Sequence, residues 1–314
     1  LTGDESLTGR PMLRIITPLG LMGANIDSRD GKPPLAIRGN PDLDAIDYAL
    51  PMASAQVKSA ILLAGLYAHG RTTVVEPAVT RDHTERMLRA MGVAVDHTDG
   101  RIGVRGPATL RASRVDVPAD LSSAAFIILA ALLADEAEIL VRGVGVNPTR
   151  TGILEILQAM GASIRLEKRR DMGEEPVADI RVRSSRLRGI EVDPALVSLA
   201  IDEFPVLFVA AAAAEGSTRF TGIGELRVKE SDRIAAMAAG LRALGIGVEE
   251  SEDGALVHGG RLSGGEVQSF GDHRIAMSLA VAGTVADGPV LVRDVAAVEN
   301  SFPGFESCLK GIGA

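Results

Sequence analysis

A chain of 314 residues is long enough for about two domains. Apolar residues make up 46% of it and aromatic ones only 3%, with no Trp, so its cores must be built from Ala, Leu, Val and Ile. A net charge of −8 argues against nonspecific nucleic-acid binding, the single cysteine excludes an intrachain disulfide, and no unbroken apolar run reaches about 18 residues, so the chain reads as soluble and cytoplasmic.

In chain order, an amphipathic pattern over Pro11–Met22 ends at Gly23 and leads into the β-type run Asn25-Ile26-Asp27. A nearly all-apolar helix is expected over Ser59–Ala68, followed by a strand at Thr72–Val75 and a second amphipathic helix that stops at Gly92. The extended stretch Arg114–Asp120 contains Pro118 and marks a domain boundary, giving domains 1–115 and 116–314. Asp120, with Ser122 and Ser123, then reads as the N-cap of an apolar helix over Ala124–Ala134, before a strand at Glu138–Val141. Two further apolar helices, Pro205–Ala214 and Ile275–Ala286, precede strands at Ser217–Thr221 and Val290–Val292. Cys308 falls in the last helical pattern, Phe305 to Ile312, where packing explains it better than chemistry.

A repeat underlies this order. Leu-x-x-[Leu/Met/Ile]-Gly occurs at Leu19–Gly23, Leu88–Gly92, Leu157–Gly161, Leu241–Gly245 and Leu309–Gly313, with glycines 69, 69, 84 and 68 residues apart. A helix ending in glycine is a left-handed C-cap signal. Each unit is thus an apolar helix, a strand, an amphipathic helix and further strands, at a period of about 70. Residues 1–40 match only the second half of a unit, as expected of a chain that starts inside one or of a degenerate capping repeat.

The block Arg227-Val228-Lys229-Glu230-Ser231-Asp232-Arg233 carries the densest chemistry. It follows Gly-Ile-Gly-Glu (222–225) and precedes a helical run, which puts Lys229, Glu230 and Arg233 near a helix start. The free N–H groups and positive macrodipole there suit an anion. A solvated charged helix start would explain the same residues. Local arginine and lysine clusters can focus a field that opposes the overall negative charge.

Seven motifs in order resemble the 5-enolpyruvylshikimate-3-phosphate synthase family over the whole chain. They are Gly9-Arg10-Pro11-Met12, Ser54-Ala55-Gln56-Val57-Lys58, Arg81-Asp82-His83-Thr84-Glu85, Ile201-Asp202-Glu203, the Arg227–Arg233 block, Asp272-His273-Arg274 and Ser301-Phe302-Pro303. With Asn147-Pro148-Thr149-Arg150, the pattern is similar to the family's second class, often tolerant of glyphosate. The resemblance implies an α/β fold of two lobes built from βαβαββ units, the first lobe incomplete here at about one and a half units and the second holding three. It implies transfer of the enolpyruvyl group of phosphoenolpyruvate to the 5-hydroxyl of shikimate 3-phosphate, with no cofactor, no metal, no nucleic-acid or membrane partner, and a monomer when complete.

By resemblance, Arg10, Arg233 and Arg274 are the phosphoenolpyruvate clamps, a task that suits the planar fork of guanidinium; each alone reads as a surface arginine. Ser54, Ala55 and Gln56 match residues that hold the phosphate of shikimate 3-phosphate and touch phosphoenolpyruvate, and Arg81 matches a further phosphate ligand; a simple N-cap would explain Ser54. Asp202 matches the base that takes the 5-hydroxyl proton, though its place before Pro205–Ala214 also suits an N-cap. Lys229 matches a residue touching both substrates, and Glu230 the proton shuttle at the methylene carbon. His83 reads as structural, and Glu203 carries no assigned role. Ala55 stands where many relatives have a second Ser, and Asn300 where some have a Lys. The family's Lys-Ser pair, a further Arg and a Gly-rich loop find no match, so this chain alone is expected to be silent or weak. The alternatives are a UDP-N-acetylglucosamine enolpyruvyl transferase, which usually carries a cleft-loop Cys, or an inactive fragment of a fusion protein.

Overall fold

The computed structural model describes residues 1–312, so Gly313 and the C-cap expected there lie outside the described residues. The chain divides into two compact units, Leu1–Asp116 with Gly173–Glu175, and Val117–Met172 with Pro176–Ala314.

The first unit opens with the short helix Glu5–Thr8, followed by the helix Leu13–Leu21 and a hairpin of strands Asn25–Arg29 and Lys32–Arg38. A four-stranded sheet follows in the order Asp47–Ala49, Gly70–Val75, Arg101–Gly106, Val95–Thr98, with the first pair parallel and the others antiparallel. The helix Ala55–Gly65 links the parallel strands, and the helix His83–Ala90 leads to the closing hairpin. Val57, Ile61, Leu62, Val74, Leu88, Ile102 and Val104 form the core. The Ala55–Gly65 helix is apolar nearly all round, yet only the side bearing Val57, Ile61 and Leu62 is buried, while Leu63 remains 46% exposed. The sheet covers one side of it.

The second unit repeats the same strand order. Its strands run Glu138–Gly145, Glu175–Arg183, Ser163–Met172 in one sheet, and Ser217–Thr221, Gly254–His258, Val248–Ser251 in the next. Parallel bridges, Ala119 to Val144 and Glu191 to Arg219, stand where the first unit has its parallel edge strand. A third group pairs Gly265–Gln268 in parallel with Val290–Arg293. No closing hairpin follows among the described residues.

The helices Leu121–Leu133 and Phe204–Ala213 are buried almost throughout. Side chains apolar on every face leave a helix no surface to show to water. With Arg233–Ala243 and His273–Gly283 they build one core around Phe204, Phe208 and Phe220. The run Pro194–Ala213 is long and apolar enough to cross a membrane by length and composition, but 67% of its most apolar window is packed inside the protein, and 3-10 turns at Pro194–Leu196 and Ile201–Glu203 interrupt it. The last helix, Phe305–Gly311, docks through Phe305 edge-on to Phe126. Cys308 on that helix is exposed, contrary to the packed position expected of it. Phe305 and Leu309 take the buried face and turn Cys308 outward.

The repeated Leu-x-x-Φ-Gly has a single structural meaning. Gly23, Gly92, Gly161 and Gly245 all have φ between +85° and +100°. In each case the next residue's N–H donates to the carbonyl of the motif leucine: Ala24 to Leu19, Val93 to Leu88, Ala162 to Leu157, Ile246 to Leu241. The glycine N–H donates three residues back. This is the Schellman pattern, which satisfies carbonyls a helix end would otherwise leave open. The leucine is the residue whose carbonyl closes the loop, and Leu88, Leu157 and Leu241 are buried.

At Gly161, φ is +100° and an added Cβ would lie 3.5 Å from the Arg186 carbonyl oxygen, so space is adequate and backbone strain dominates. Gly161→Ala is expected to lower unfolding stability by about 1–2 kcal/mol without changing the secondary-structure signal, as read by denaturant titration followed by circular dichroism.

Candidate active site

The expected site residues fall into two sets. Arg10, Ser54, Ala55, Gln56 and Arg81 lie in the first unit; Asp202, Lys229, Glu230, Arg233 and Arg274 lie in the second.

In the first unit, the helix begins at Ala55, four residues earlier than expected. Ser54 is therefore its N-cap, accepting from the Val57 N–H at 3.4 Å, and Ala55 and Gln56 are its first two residues. Gln56 is exposed, and Arg81, half-buried, stands two residues before the helix His83–Ala90. Behind these two helix starts lies a charge cluster that the sequence reading missed. Lys58, 1% exposed, pairs with Glu85 at 2.7 Å and Glu76 at 3.0 Å. Glu76 also accepts from the Thr80 hydroxyl at 2.7 Å, and Ser59 and Thr84 share a hydroxyl hydrogen bond at 2.7 Å. The loop bearing Arg81 is thus fixed to the helix that starts with Ala55. Arg10 lies exposed on the connector between helices Glu5–Thr8 and Leu13–Leu21.

In the second unit, helix starts meet. Arg233 opens the helix Arg233–Ala243, capped by Asp232, and is only 2% exposed. Its Nε donates to Asp272 Oδ2 at 2.8 Å, its Nη2 to Glu230 Oε2 at 2.6 Å, and its Nη1 lies 3.7 Å from Asp202 Oδ1. Asp272 caps the helix His273–Gly283 and accepts from the Arg274 N–H at 2.9 Å. Arg274 reaches back, donating from Nη1 to the Asp202 carbonyl oxygen at 2.9 Å. Asp202 therefore does not cap Phe204–Ala213. It sits in the preceding 3-10 turn, and no side chain caps that helix. Lys229 and Glu230 also lie before, not within, the first turn of their helix. Lys229 Nζ donates to Glu225 Oε1 at 2.6 Å. Arg227 is structural: it donates to the Glu252 and Ser251 carbonyls and to Asp232.

A second buried group adjoins these residues. Glu203, 2% exposed, accepts a short hydrogen bond from the Ser122 hydroxyl, which accepts in turn from Arg150 Nη2 at 2.5 Å. Arg150 and Arg274 lie 3.6 and 3.9 Å from Glu203 Oε1.

Titration follows from these surroundings. Burial pushes Glu203 above its ordinary carboxyl value, against the opposing pull of Arg150, Arg274 and Ser122. Burial also pushes Asp272 up, but the Arg233 charge and hydrogen bond, with the Arg274 N–H, outweigh it and leave the carboxyl below its ordinary value. Burial and then the Arg274 charge depress His273, opposed by Asp272.

A cavity of about 530 Å³ lies elsewhere in this unit, lined by Leu154, Gln158, Ile164, Arg170 and Val177, and shares no lining residue with the charged cluster. Among the described residues no three His, Cys, Asp or Glu side chains are grouped to hold a metal ion.

The model of the family EPSP synthase (3-phosphoshikimate 1-carboxyvinyltransferase) matches residues 1–309. A 3-phosphoshikimate 1-carboxyvinyltransferase of Xanthomonas euvesicatoria pv. vesicatoria is 56% identical over 314 residues, covering all of this chain and 71% of that protein. One from Nitrosococcus oceani is likewise 56% identical, with the same coverage. Among solved structures, an EPSP synthase from Acinetobacter baumannii superposes with a TM-score of 0.90 at 49% identity, over 99% of this chain and 72% of that one. The enolpyruvyl transferase NikO from Streptomyces tendae, at 19% identity and a TM-score of 0.77 over 98% of this chain and 72% of its own, shares the fold.

Asp272 gives a test by pH. Its folded value lies below the ordinary one, so its stabilisation is present above the unfolded value, near pH 4, and is lost as pH falls through the folded value. Asp272→Asn is expected to lower unfolding stability by about 2–4 kcal/mol at pH 7, with the gap to the parent protein narrowing below about pH 4 in denaturant titrations.

Proposed function

This chain belongs to the EPSP synthase family, the 3-phosphoshikimate 1-carboxyvinyltransferases, and we propose that Asp202, Lys229 and Glu230 carry its catalysis while Arg10, Ser54, Ala55, Gln56, Arg81, Arg233 and Arg274 bind its substrates. The family reaction moves the enolpyruvyl group of phosphoenolpyruvate to the 5-hydroxyl of shikimate 3-phosphate and releases phosphate. These relatives do not favour the UDP-N-acetylglucosamine alternative.

The observation that carries the assignment is the grouping of Asp202, Glu230 and Arg274 around the buried Arg233. Asp202 accepts the 5-hydroxyl proton. It stands before the N-terminal end of a buried helix with a guanidinium 3.7 Å away. Glu230 delivers a proton to the methylene carbon, making the neighbouring carbon electrophilic; the 5-oxygen adds there, and loss of phosphate with return of that proton restores the double bond. Glu230 is paired with Arg233 at 2.6 Å in this structure. The dianionic phosphate of phosphoenolpyruvate competes with Glu230 for Arg233 and frees the carboxyl to turn to the methylene carbon. Arg274 keeps one N–H on the Asp202 carbonyl and presents the rest of its fork to the anion. Lys229 exchanges Glu225 for substrate oxygens. Ser54, Ala55 and Gln56 offer hydroxyl, amide and backbone N–H donors at a helix start, and Arg81 adds charge beside them.

Residues 1–115 and 116–314 form the two lobes in this reading. It also places a monomer in the cytoplasm with no membrane or nucleic-acid partner, supported by the net charge of −8 and the packed position of the most apolar segment.

Phosphate release from shikimate 3-phosphate and phosphoenolpyruvate, measured in the full-length protein, tests the roles. Asp202→Asn and Glu230→Gln are each expected to cut turnover about 100-fold or more while the protein remains folded, as read by circular dichroism. Near-normal turnover in either variant removes that residue from the mechanism.

A further inference from the structure

Glu203 and Arg150 take no part in the roles above, yet they are among the most enclosed charges of the second unit. Their side chains are 1% and 15% exposed. Glu203 Oε2 and Arg150 Nε are both buried without a hydrogen-bond partner. An arrangement made only for stability would close this pair into a two-point fork, because a buried ion pair repays its desolvation only when geometry is good and every donor and acceptor is met. Here the nitrogen and oxygen stay 3.6 Å apart, and Ser122 bridges them.

The geometry of this group has a direction. Ser122 is the second residue of the buried helix Leu121–Leu133, whose cap is Asp120, and Arg150 also lies 3.6 Å from Asp120. Glu203 is fixed to that helix start through Ser122. On its other side the same Oε1 lies 3.9 Å from Arg274 Nη1, the nitrogen that donates to the Asp202 carbonyl. Two consecutive residues, Asp202 by a hydrogen bond to its carbonyl and Glu203 by its carboxylate 3.9 Å away, therefore face one nitrogen of Arg274. Neither contact uses Nη2 or Nε of Arg274.

We propose that Glu203, anchored by Ser122 and Arg150, is a positioning residue that fixes the Arg274 guanidinium for phosphoenolpyruvate. This rests on the assignment of Arg274 as a clamp for that substrate. A neutral side chain at 203 keeps the shape and the Ser122 hydrogen bond but removes the charge that counters Arg150 and Arg274. Arg274 then loses that counter-charge, and like-charge repulsion from Arg150 acts on it unopposed. The effect should appear in the affinity for the substrate that Arg274 holds, not in the other.

The test is steady-state kinetics of the full-length protein, with both substrates varied separately, for Glu203→Gln, Glu203→Asp, Arg274→Lys and the Glu203→Gln/Arg274→Lys double variant. Glu203→Gln is expected to raise KM for phosphoenolpyruvate about tenfold, leaving kcat and KM for shikimate 3-phosphate within about twofold. Glu203→Asp, which retains the charge, should recover about half of that loss on a logarithmic scale. The double variant should be scarcely worse than Arg274→Lys alone, since both changes act through one guanidinium. An unchanged KM for phosphoenolpyruvate in Glu203→Gln, equal rises in both KM values, or effects that multiply in the double variant would overturn the positioning role. If Glu203→Gln does not fold, Arg150→Lys, which keeps charge but loses the fork, must show the same selective rise or the proposal fails. An Arg274→Lys variant with unchanged KM for phosphoenolpyruvate would instead sink the clamp assignment itself.

Discussion

Burying a guanidinium to 2% exposure is costly unless its charge is countered and its donors are met, and Arg233 satisfies both conditions with three carboxylates drawn from three segments of the chain. Asp202 comes from the turn before Phe204–Ala213, Glu230 from the connector before Arg233's own helix, and Asp272 from the cap of His273–Gly283. The helices they precede are themselves hydrophobic and would pack in several rotations if only burial counted. The shared guanidinium selects the arrangement in which their N-terminal ends face one place. Asp272 does two jobs in this, accepting from the Arg274 backbone N–H while pairing with Arg233. An anion arriving near these helix starts meets Arg233 and Arg274 already held in position, so little of the binding energy is spent on ordering them.

The first unit solves a similar problem with the same signs and a smaller cation. There a single buried ammonium, Lys58, lies between Glu76 and Glu85, and ties the helix begun by Ala55 to the one begun by His83. In both units a long basic side chain at or near the start of a helix is spent on architecture, and the helix starts it joins carry the residues assigned to substrate. The division of labour explains why a motif such as Ser54-Ala55-Gln56-Val57-Lys58 combines an exposed amide with a buried cation at helical spacing.

Much of this was legible from residue types alone. The four described glycines of the repeat occupy the positive-φ position their motif demands, because a Schellman ending is a local device that depends on neighbours within one turn. Asp120 caps its helix as read, for the same reason. Long-range pairings left no such trace. Nothing in the spacing links Glu203 to Ser122 and Arg150, 81 and 53 residues away, or shows that Asp272 rather than Asp202 would cap a helix. Asp202 fails as a cap because Pro205 sits at the opening of the next helix and the chain tightens into a 3-10 turn before it. The Ala55–Gly65 helix starts before the apolar run does because Lys58 buries its charge against two carboxylates, a pairing its residue type does not announce. Cys308 faces outward because Phe305 and Leu309 fill the inward face of its helix.

The outward turn of Cys308 gives the chain an optical handle. The sequence holds one cysteine, no tryptophan and two tyrosines, so a thiol-reactive dye would attach at a single point and emit over almost no intrinsic background. The helix that carries it is seated by Phe305 against Phe126, one turn along from Ser122. A fluorophore there would sit on a helix packed through Phe305 against the helix that anchors Glu203, and would report on that packing from outside the charged cluster.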